Sequence, residues 1–411
     1  MTHLPPLSDD FLVPPGVIYL DGNSLGLASR GAIAALDRIS RSWADLAIQG
    51  WTEGSDPWFT MGRKLSGLLA PLLGADADEV LVGDSTTVRL HQILQSFYSA
   101  EPGRSKILID ALAFPSDRYA VESFLRGRGL DPGDHLAVFE SADGYTLDEN
   151  AIVDRLETDR SIALAVLPSV LYRSGQMLDM ARIERAAMRS GVLVAWDCAH
   201  SAGVVDHAFR DSGVRLAFGC GYKWLNGGPG APAWLYVARD LHGTMPGLAG
   251  WFGSDPARQF EMKHQFDPAA DVHRFAIGTP HVLSAAPLLG SLETIQAVGI
   301  DRIRRRSLEL TSLLRHEIGR WIDPELAEIV TPEDPEQRGG HIAVRVRNAR
   351  AVSFGLRRNR VVPDFRPPDL IRLAPSPLYN SGDDCIRAVE ILARLLRNPE
   401  ELSGVADAVV T

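Results

Sequence analysis

Ile162-Ala163-Leu164-Ala165-Val166-Leu167-Pro168 and Val192-Leu193-Val194-Ala195-Trp196-Asp197 are two short, almost wholly apolar runs. Runs of this length without polar alternation fit strands buried on both faces. Between them, Asp179–Ser190 has the length and composition of an amphipathic helix, and Gly191 stands where a left-handed helix stop is wanted. Strand, helix and strand at this spacing make a βαβ unit, whose strands lie parallel. The pattern extends outward, because Lys106–Asp110, His135–Glu140 and Trp234–Val237 also read as strands alternating with amphipathic stretches. The expected fold class is α/β, with a mainly parallel sheet carrying helices on both faces in a large domain over residues 31–285.

Residues 1–30 are rich in Pro and Gly around Val17-Ile18-Tyr19-Leu20, and read as an N-terminal arm that turns at Asp21-Gly22-Asn23-Ser24. From about residue 286 the alternation changes. Ile300–Trp321 is a long amphipathic helix, His341–Val346 alternates like a half-buried strand, and Asp384–Arg397 is a further helix. Residues 286–411 therefore read as a small C-terminal α+β domain.

Composition narrows the function classes. A chain of 411 residues, 45% hydrophobic and 23% charged, is an ordinary globular protein and not a disordered one. Lys plus Arg number 42 and Asp plus Glu 52, a net charge of −10, which argues against binding nucleic acid by phosphate neutralisation. The cluster Arg304-Arg305-Arg306 reads as a solvated helix face. Cys198, Cys220 and Cys385 are too few and too scattered for a disulfide framework, which fits a reduced, cytoplasmic location. The N-terminus has neither the basic start nor the apolar core of a signal peptide, and no apolar run is long enough to span a bilayer.

Three segments carry chemistry. Phe218-Gly219-Cys220-Gly221-Tyr222-Lys223-Trp224-Leu225-Asn226-Gly227-Gly228-Pro229-Gly230 sets one lysine among aromatics and glycines. A lysine stripped of water beside aromatic rings is an amine nucleophile suited to a Schiff base, though taken alone a glycine-rich turn explains the segment equally well. Asp197, in Ala195-Trp196-Asp197-Cys198-Ala199-His200, falls at the C-terminal end of an expected parallel strand, where α/β proteins place ligands. A carboxylate there can hold a proton on a pyridine nitrogen, and its company with His200 and Lys223 favours that role over a helix cap. Gly83-Asp84-Ser85-Thr86-Thr87-Val88 leads into an amphipathic stretch; taken alone its hydroxyls read best as helix caps, but beside a lysine and a carboxylate suited to an aldehyde cofactor they and the free N–H groups are the expected phosphate cup at a helix N-terminus. Other chemistries lack their marks. There is no phosphate-binding P-loop, no third glycine of a dinucleotide fingerprint after Gly219 and Gly221, and no Gly-x-Ser-x-Gly elbow. Cys198-x-His200 has no second pair at metal-ligand spacing.

With these residues in place the sequence resembles kynureninase, a class-V-like enzyme of fold type I dependent on pyridoxal 5′-phosphate. The matching motifs run in family order from about residue 19 to 380. They are Tyr19-Leu20-Asp21-Gly22-Asn23-Ser24-Leu25-Gly26, Phe114-Pro115-Ser116-Asp117, Asp197-Cys198-Ala199-His200, Gly221 to Gly230, Gly250-Trp251-Phe252-Gly253, Gly278-Thr279-Pro280 and Ile371-Arg372-Leu373-Ala374-Pro375-Ser376-Pro377-Leu378-Tyr379-Asn380. The resemblance implies that Lys223 forms the Schiff base with the cofactor and shuttles protons, and that Asp197 pairs with the pyridine nitrogen with His200 beside it. Phe114 would stack on the ring, with Asp117 close by. Thr86, Thr87 and Tyr222 would hold the phosphate, with Tyr222 also a candidate acid. Trp251 and Thr279 would reach the phosphate of a neighbouring subunit in a homodimer with shared active sites. Arg372 would hold the α-carboxylate of an amino-acid substrate, with Asn23 and Ser24 nearby. The implied reaction hydrolyses the Cβ–Cγ bond of kynurenine or a derivative to anthranilate and alanine.

The chain departs from the family pattern in three places. Arg89 stands where members usually carry asparagine, and reads either as a helix-surface residue or as an added cation at the pocket mouth that contacts substrate. The substrate-ring histidine of animal members is not apparent in Gln49-Gly50-Trp51-Thr52-Glu53-Gly54. The pocket-facing position in Leu167-Pro168-Ser169-Val170-Leu171-Tyr172 also differs. These departures bear on substrate identity, so a C–S lyase acting by β-elimination on a cysteine S-conjugate, or a class-V aminotransferase, is the alternative reading.

Overall fold

The structure is a computed structural model describing residues 4–402; the first three residues of the N-terminal arm and the last nine of the C-terminal segment lie outside the described residues. The arm forms β1 (Ile18–Tyr19) and turns at Asp21, whose carbonyl accepts from the Ser24 N–H at 3.0 Å.

A seven-stranded sheet follows from β2 (Val80–Val82), β3 (Lys106–Asp110), β4 (Leu136–Phe139), β5 (Ile162–Pro168), β6 (Leu193–Asp197), β7 (Leu216–Cys220) and β8 (Ala233–Val237). Their spatial order is β2-β8-β7-β6-β5-β3-β4. Every pairing from β4 to β7 is parallel, while β8 lies antiparallel to both β2 and β7. The fold is thus α/β with a mainly parallel sheet, as expected, with one reversed strand. The reversal follows from the chain, because β7 and β8 are joined by the glycine-rich loop holding Lys223 and not by a crossover helix, and only antiparallel neighbours can be joined that way. Neither β2 nor β7 was expected as a strand. The first is only three residues long, and the second contains Gly219 and merges with the lysine motif.

Strand β5 shows why its run lacks polar alternation. Ile162, Ala165 and Leu167 enter one core, and Leu164 and Val166 enter the core on the other face. The helix between β5 and β6 spans Met180–Ser190, capped by Asp179, whose side chain accepts from the Arg182 N–H, and stopped by Gly191 at φ 64°. The first face is covered by the helices Arg30–Leu46, Trp58–Leu73 and Val282–Val298, and the second by Thr86–Phe97 and Pro115–Gly127.

A smaller antiparallel sheet has the order β12-β13-β10-β9, from β9 (Ala327–Ile329), β10 (Ile342–Val346), β12 (Asp364–Arg366) and β13 (Leu370–Leu373); between them β11 (Val361–Val362) pairs in parallel with β1. Helices Ile300–Trp321, Ala349–Arg358 and Gly382–Arg397 bury Leu310, Leu314, Leu356 and Leu392 with Ile342 and Val344. Ile18 and Leu20 of the arm join this core, whereas the buried side chains of Val282–Val298 belong to the larger one. Among the described residues no single helix is long and apolar enough to cross a membrane.

Candidate active site

The site gathers at the C-terminal ends of the parallel strands, the place where loops leave the sheet and side chains can reach a ligand. β6 ends on Asp197 and β7 runs into the loop bearing Tyr222 and Lys223. Helix Thr86–Phe97 points its N-terminus at the same place, with Ser85 as the cap whose Oγ accepts from the Val88 N–H at 3.4 Å. Phe114 directly precedes helix Pro115–Gly127, which carries Asp117 in its first turn. Together Ser85, Thr86, Thr87, Phe114, Asp117, Asp197, His200, Tyr222 and Lys223 line one cleft of about 560 Å³. All eight residues that the sequence assigns to a cofactor within one chain are therefore brought together.

Lys223 Nζ lies 2.9 Å from His200 Nε2, and 5.9 Å and 5.8 Å from the ring centres of Phe114 and Tyr222. Burial, then the positive charge of Lys223, holds His200 well below the usual histidine range. A neutral imidazole accepts at Nε2 from the lysine and carries its hydrogen on Nδ1, which is buried without a partner among the described residues. The loop is fixed from two sides. The Trp224 indole N–H donates to the His200 carbonyl at 3.1 Å, and the Gly26 N–H donates to the Tyr222 carbonyl at 2.8 Å. A Cβ on Gly26 would stand 2.4 Å from the Lys223 carbonyl oxygen, so only glycine lets the arm's turn reach the loop.

Two carboxyl groups, Asp197 and Asp117, face one lysine, and a third, Asp110, stands behind them. Asp197 accepts the Ala199 N–H at 2.8 Å, so it also makes the strand-end backbone contact of a cap. Burial raises both Asp197 and Asp117, and the charge of Asp197 drives Asp117 further, well above the carboxylate range. Asp117 thus holds the proton and shares it with Asp197, while Lys223 and the Ala199 N–H favour the charge on Asp197. Burial pushes Asp110, at the end of β3, up to about 7.

The residues assigned to substrate lie elsewhere. Arg372, on β13, is wholly buried; its Nη1 donates to the Tyr172 carbonyl at 2.6 Å and its Nη2 to Ser24 Oγ at 3.2 Å. The turn of the arm therefore meets the carboxylate-binding candidate. Asn23 beside it is fully buried, and neither its amide oxygen nor its amide nitrogen has a partner among the described residues. Arg89 corrects the helix-surface reading, being 1% exposed. It lines not the cleft but the neighbouring cavity of about 320 Å³, which shares Asp84 and His281 with the cleft. Its Nε donates to the Gly83 carbonyl at 3.1 Å, its Nη1 to the Phe275 carbonyl at 3.2 Å, and its Nη2 pairs with Asp84 at 3.1 Å. A guanidinium so engaged ties down the backbone under the helix N-terminus. Trp251 and Thr279 stand outside the cleft, both exposed, with Thr279 on that same neighbouring cavity.

Sequence reasoning missed Tyr172, His341, Asp364 and Arg366. The Tyr172 ring packs edge-on against Phe114 at 5.3 Å and lies 6.3 Å from His200, which in turn lies 6.1 Å from His341. Tyr172 stands in a segment whose departure from the family pattern was visible, but the others lie in the small sheet or, for His341, just before its strand β10, and no motif marks them.

The donor set fits pyridoxal phosphate: an amine for the aldehyde, a carboxylate opposite a pyridine nitrogen, an aromatic face, and a hydroxyl-lined helix N-terminus for phosphate. The comparisons with known proteins agree with this geometry. Over 95% of its length the chain is 46% identical to a kynureninase of Geobacillus thermodenitrificans and 45% identical to one of Bacillus cereus strain ATCC 14579, covering 91% of each. It is 43% identical to a kynureninase of Shouchella clausii, again over 95% of the chain and 90% of that relative. Residues 303–392 match the kynureninase C-terminal domain. Among solved structures, the cystine C–S lyase C-DES with its product cysteine persulfide superposes with a TM-score of 0.77 at 19% identity, over 92% of this chain and 98% of that one. A C-DES variant with glycine covalently linked to its PLP cofactor gives 0.77 at 18% identity, over 92% and 97%. A cysteine desulfurase of Thermococcus onnurineus gives 0.76 at 17% identity, over 93% and 95%. Likeness at that identity is likeness of fold, so the C–S lyase and aminotransferase alternatives gain nothing from it. With 43–46% identity over nearly its whole length, the chain belongs to the kynureninase family.

Proposed function

We propose that this protein is a pyridoxal-phosphate-dependent hydrolase that cleaves the Cβ–Cγ bond of kynurenine or a ring-substituted derivative, releasing an anthranilate and alanine. The observation that carries the reading is Lys223 Nζ, 2.9 Å from His200, in one cleft with Asp197, Asp117 and the Ser85–Thr87 helix start. Family membership supports the same activity.

The cofactor, when bound, supplies an aldehyde for the substrate amine and a ring that withdraws electrons from the substrate's carbon skeleton. The chain does the rest. Asp197, relieved of part of its burial cost by the shared proton of Asp117, keeps the ring nitrogen protonated. Phe114 covers the ring face, and Thr86 and Thr87 hold the phosphate, joined by Tyr222. Lys223 Nζ, freed by the incoming amine, moves the proton at the substrate Cα. His200, neutral and beside it, accepts a hydrogen bond from the lysine without adding a charge. Tyr222 is the acid that returns a proton to Cβ, the carbon that stays with alanine. Arg372 holds the α-carboxylate, with Ser24 and Asn23 at its side. Water adds to the γ-carbonyl, the Cβ–Cγ bond breaks, and the aroyl group leaves as its carboxylic acid.

The active form is a cytoplasmic homodimer in which Trp251 and Thr279 serve the partner's phosphate. Their exposure outside their own cleft supports this, and three buried, unpaired cysteines suit a reducing compartment. The deciding assay supplies kynurenine, 3-hydroxykynurenine and cysteine S-conjugates to the holoenzyme. Stoichiometric anthranilate and alanine are expected, whereas pyruvate and a thiol without anthranilate would refute the reading.

A further inference from the structure

Arg372 is held in a way that bears on how the site takes an anion. β12 and β13 pair antiparallel with Asp364 directly opposite Arg372, and both side chains are fully buried. The Asp364 carboxylate accepts from Arg372 Nε, and the same oxygen, Oδ2, accepts from Arg366 Nε at 2.9 Å. Arg366 is partly exposed and stands 6.0 Å from the Tyr172 ring centre, which is the wall shared with Phe114 and His200. The second Asp364 oxygen, Oδ1, is buried without a partner. A charged arginine has five N–H donors. Arg372 uses one on Nε and one on each Nη, so one N–H remains on each of the two Nη atoms.

The charge count is equally specific. One carboxylate shared by two guanidinium groups leaves the cluster one positive charge in excess. Asp21 also faces Arg372 but brings Arg357 with it, 3.9 Å away, so three guanidinium groups still outnumber two carboxylates by one. A buried, uncompensated cation is costly, and a carboxylate ligand removes that cost on arrival.

We propose that Asp364 is the positioning residue of the substrate-carboxylate site. As counter-ion to both Arg372 and Arg366, it fixes Arg372 by its Nε edge, leaves the Nη edge to the ligand, and keeps the cluster one charge short of neutral. Arg366 is its second tether, and the cation that the sequence seeks at Arg89. The proposal rests on reading the cleft as an amino-acid site.

The test uses holoenzyme, kynurenine, and kynuramine, the same amine without the carboxylate. Asp364→Asn is expected to raise KM for kynurenine on the order of 10- to 100-fold while kcat stays within about threefold and the inhibition constant of kynuramine is unchanged. Arg366→Gln, which leaves no buried charge unpaired, should move KM in the same direction by about three- to tenfold, with partial recovery in Arg366→Lys. This second series decides the matter if Asp364→Asn does not fold. Unaltered KM in both series, or equal shifts for kynurenine and kynuramine, would overturn the proposal. If the wild-type protein releases no anthranilate, the functional reading fails by itself. The same comparison is then made with L-alanine against ethylamine, read from cofactor absorbance, where loss of alanine binding alone supports the positioning role and equal losses or none reject it.

Discussion

Asp197 and Arg89 show how differently two buried charges act within one site. Asp197 faces the cleft with its charge favoured by Lys223 and by the proton on Asp117. Asp197→Ala should leave the fold intact and lower kcat on the order of 100- to 1000-fold, the range for losing one directed electrostatic contact in a catalytic centre. Near-normal turnover in that variant, with unchanged thermal unfolding, would be incompatible with the assigned role. Arg89 lines the neighbouring cavity, and its partners are backbone carbonyls and Asp84. Arg89→Gln should therefore cost on the order of 3 kcal/mol in urea unfolding, because it strips buried acceptors of a charged donor. KM for kynurenine at saturating cofactor should stay within about twofold. A large rise in KM without loss of stability would return Arg89 to the substrate pocket.

At the level of elements, the helix Met180–Ser190 is joined to β6 beneath the site by Glu184, whose Oε1 accepts from the Trp196 indole N–H at 2.8 Å. Burial pushes the Glu184 carboxyl up to about 7, against the pull of the Trp196 and Arg215 hydrogen bonds. A carboxyl raised in the folded state binds its proton more tightly there than in the unfolded chain. Its contribution is full below the unfolded value of 4.5 and is lost as pH rises through about 7. The loss should total about 3 kcal/mol. Glu184→Gln keeps the acceptor without the titration, so the difference in unfolding free energy between variant and wild type should widen from pH 4.5 to pH 7.5. A constant difference across that range would show that Glu184 does not titrate in this way.

For the whole molecule, the proposed dimer with shared sites makes a prediction that no single chain can satisfy. Lys223→Ala and Trp251→Ala variants should each be nearly inactive. If Trp251 serves the partner's cofactor, a mixed dimer carries one site with both native residues, so reassociated mixtures should recover up to about a quarter of wild-type activity. No recovery, with exchange of subunits verified by mass, would place Trp251 in the site of its own chain.

Local sequence determined much of this protein. The two apolar runs around Asp179–Ser190 require a βαβ unit, since strands buried on both faces cannot alternate, and Asp179 and Gly191 mark the ends of its helix. Lys223, Asp197 and the Ser85–Thr87 start were legible for a similar reason: each sits within a few residues of the glycine, strand end or cap that gives it its geometry. Tertiary structure decided what depends on distant partners. The direction of β8 follows from a loop that reverses the chain, and β7 was hidden because it contains a glycine, whose missing side chain makes room for the Trp234 ring of β8. Arg89 looked like a surface or substrate cation until Phe275, far along the chain, supplied its acceptor. Asp364 is silent in the sequence because its meaning is the cross-strand register with Arg372, and register is set by the packing of a whole sheet and not by neighbours along the chain.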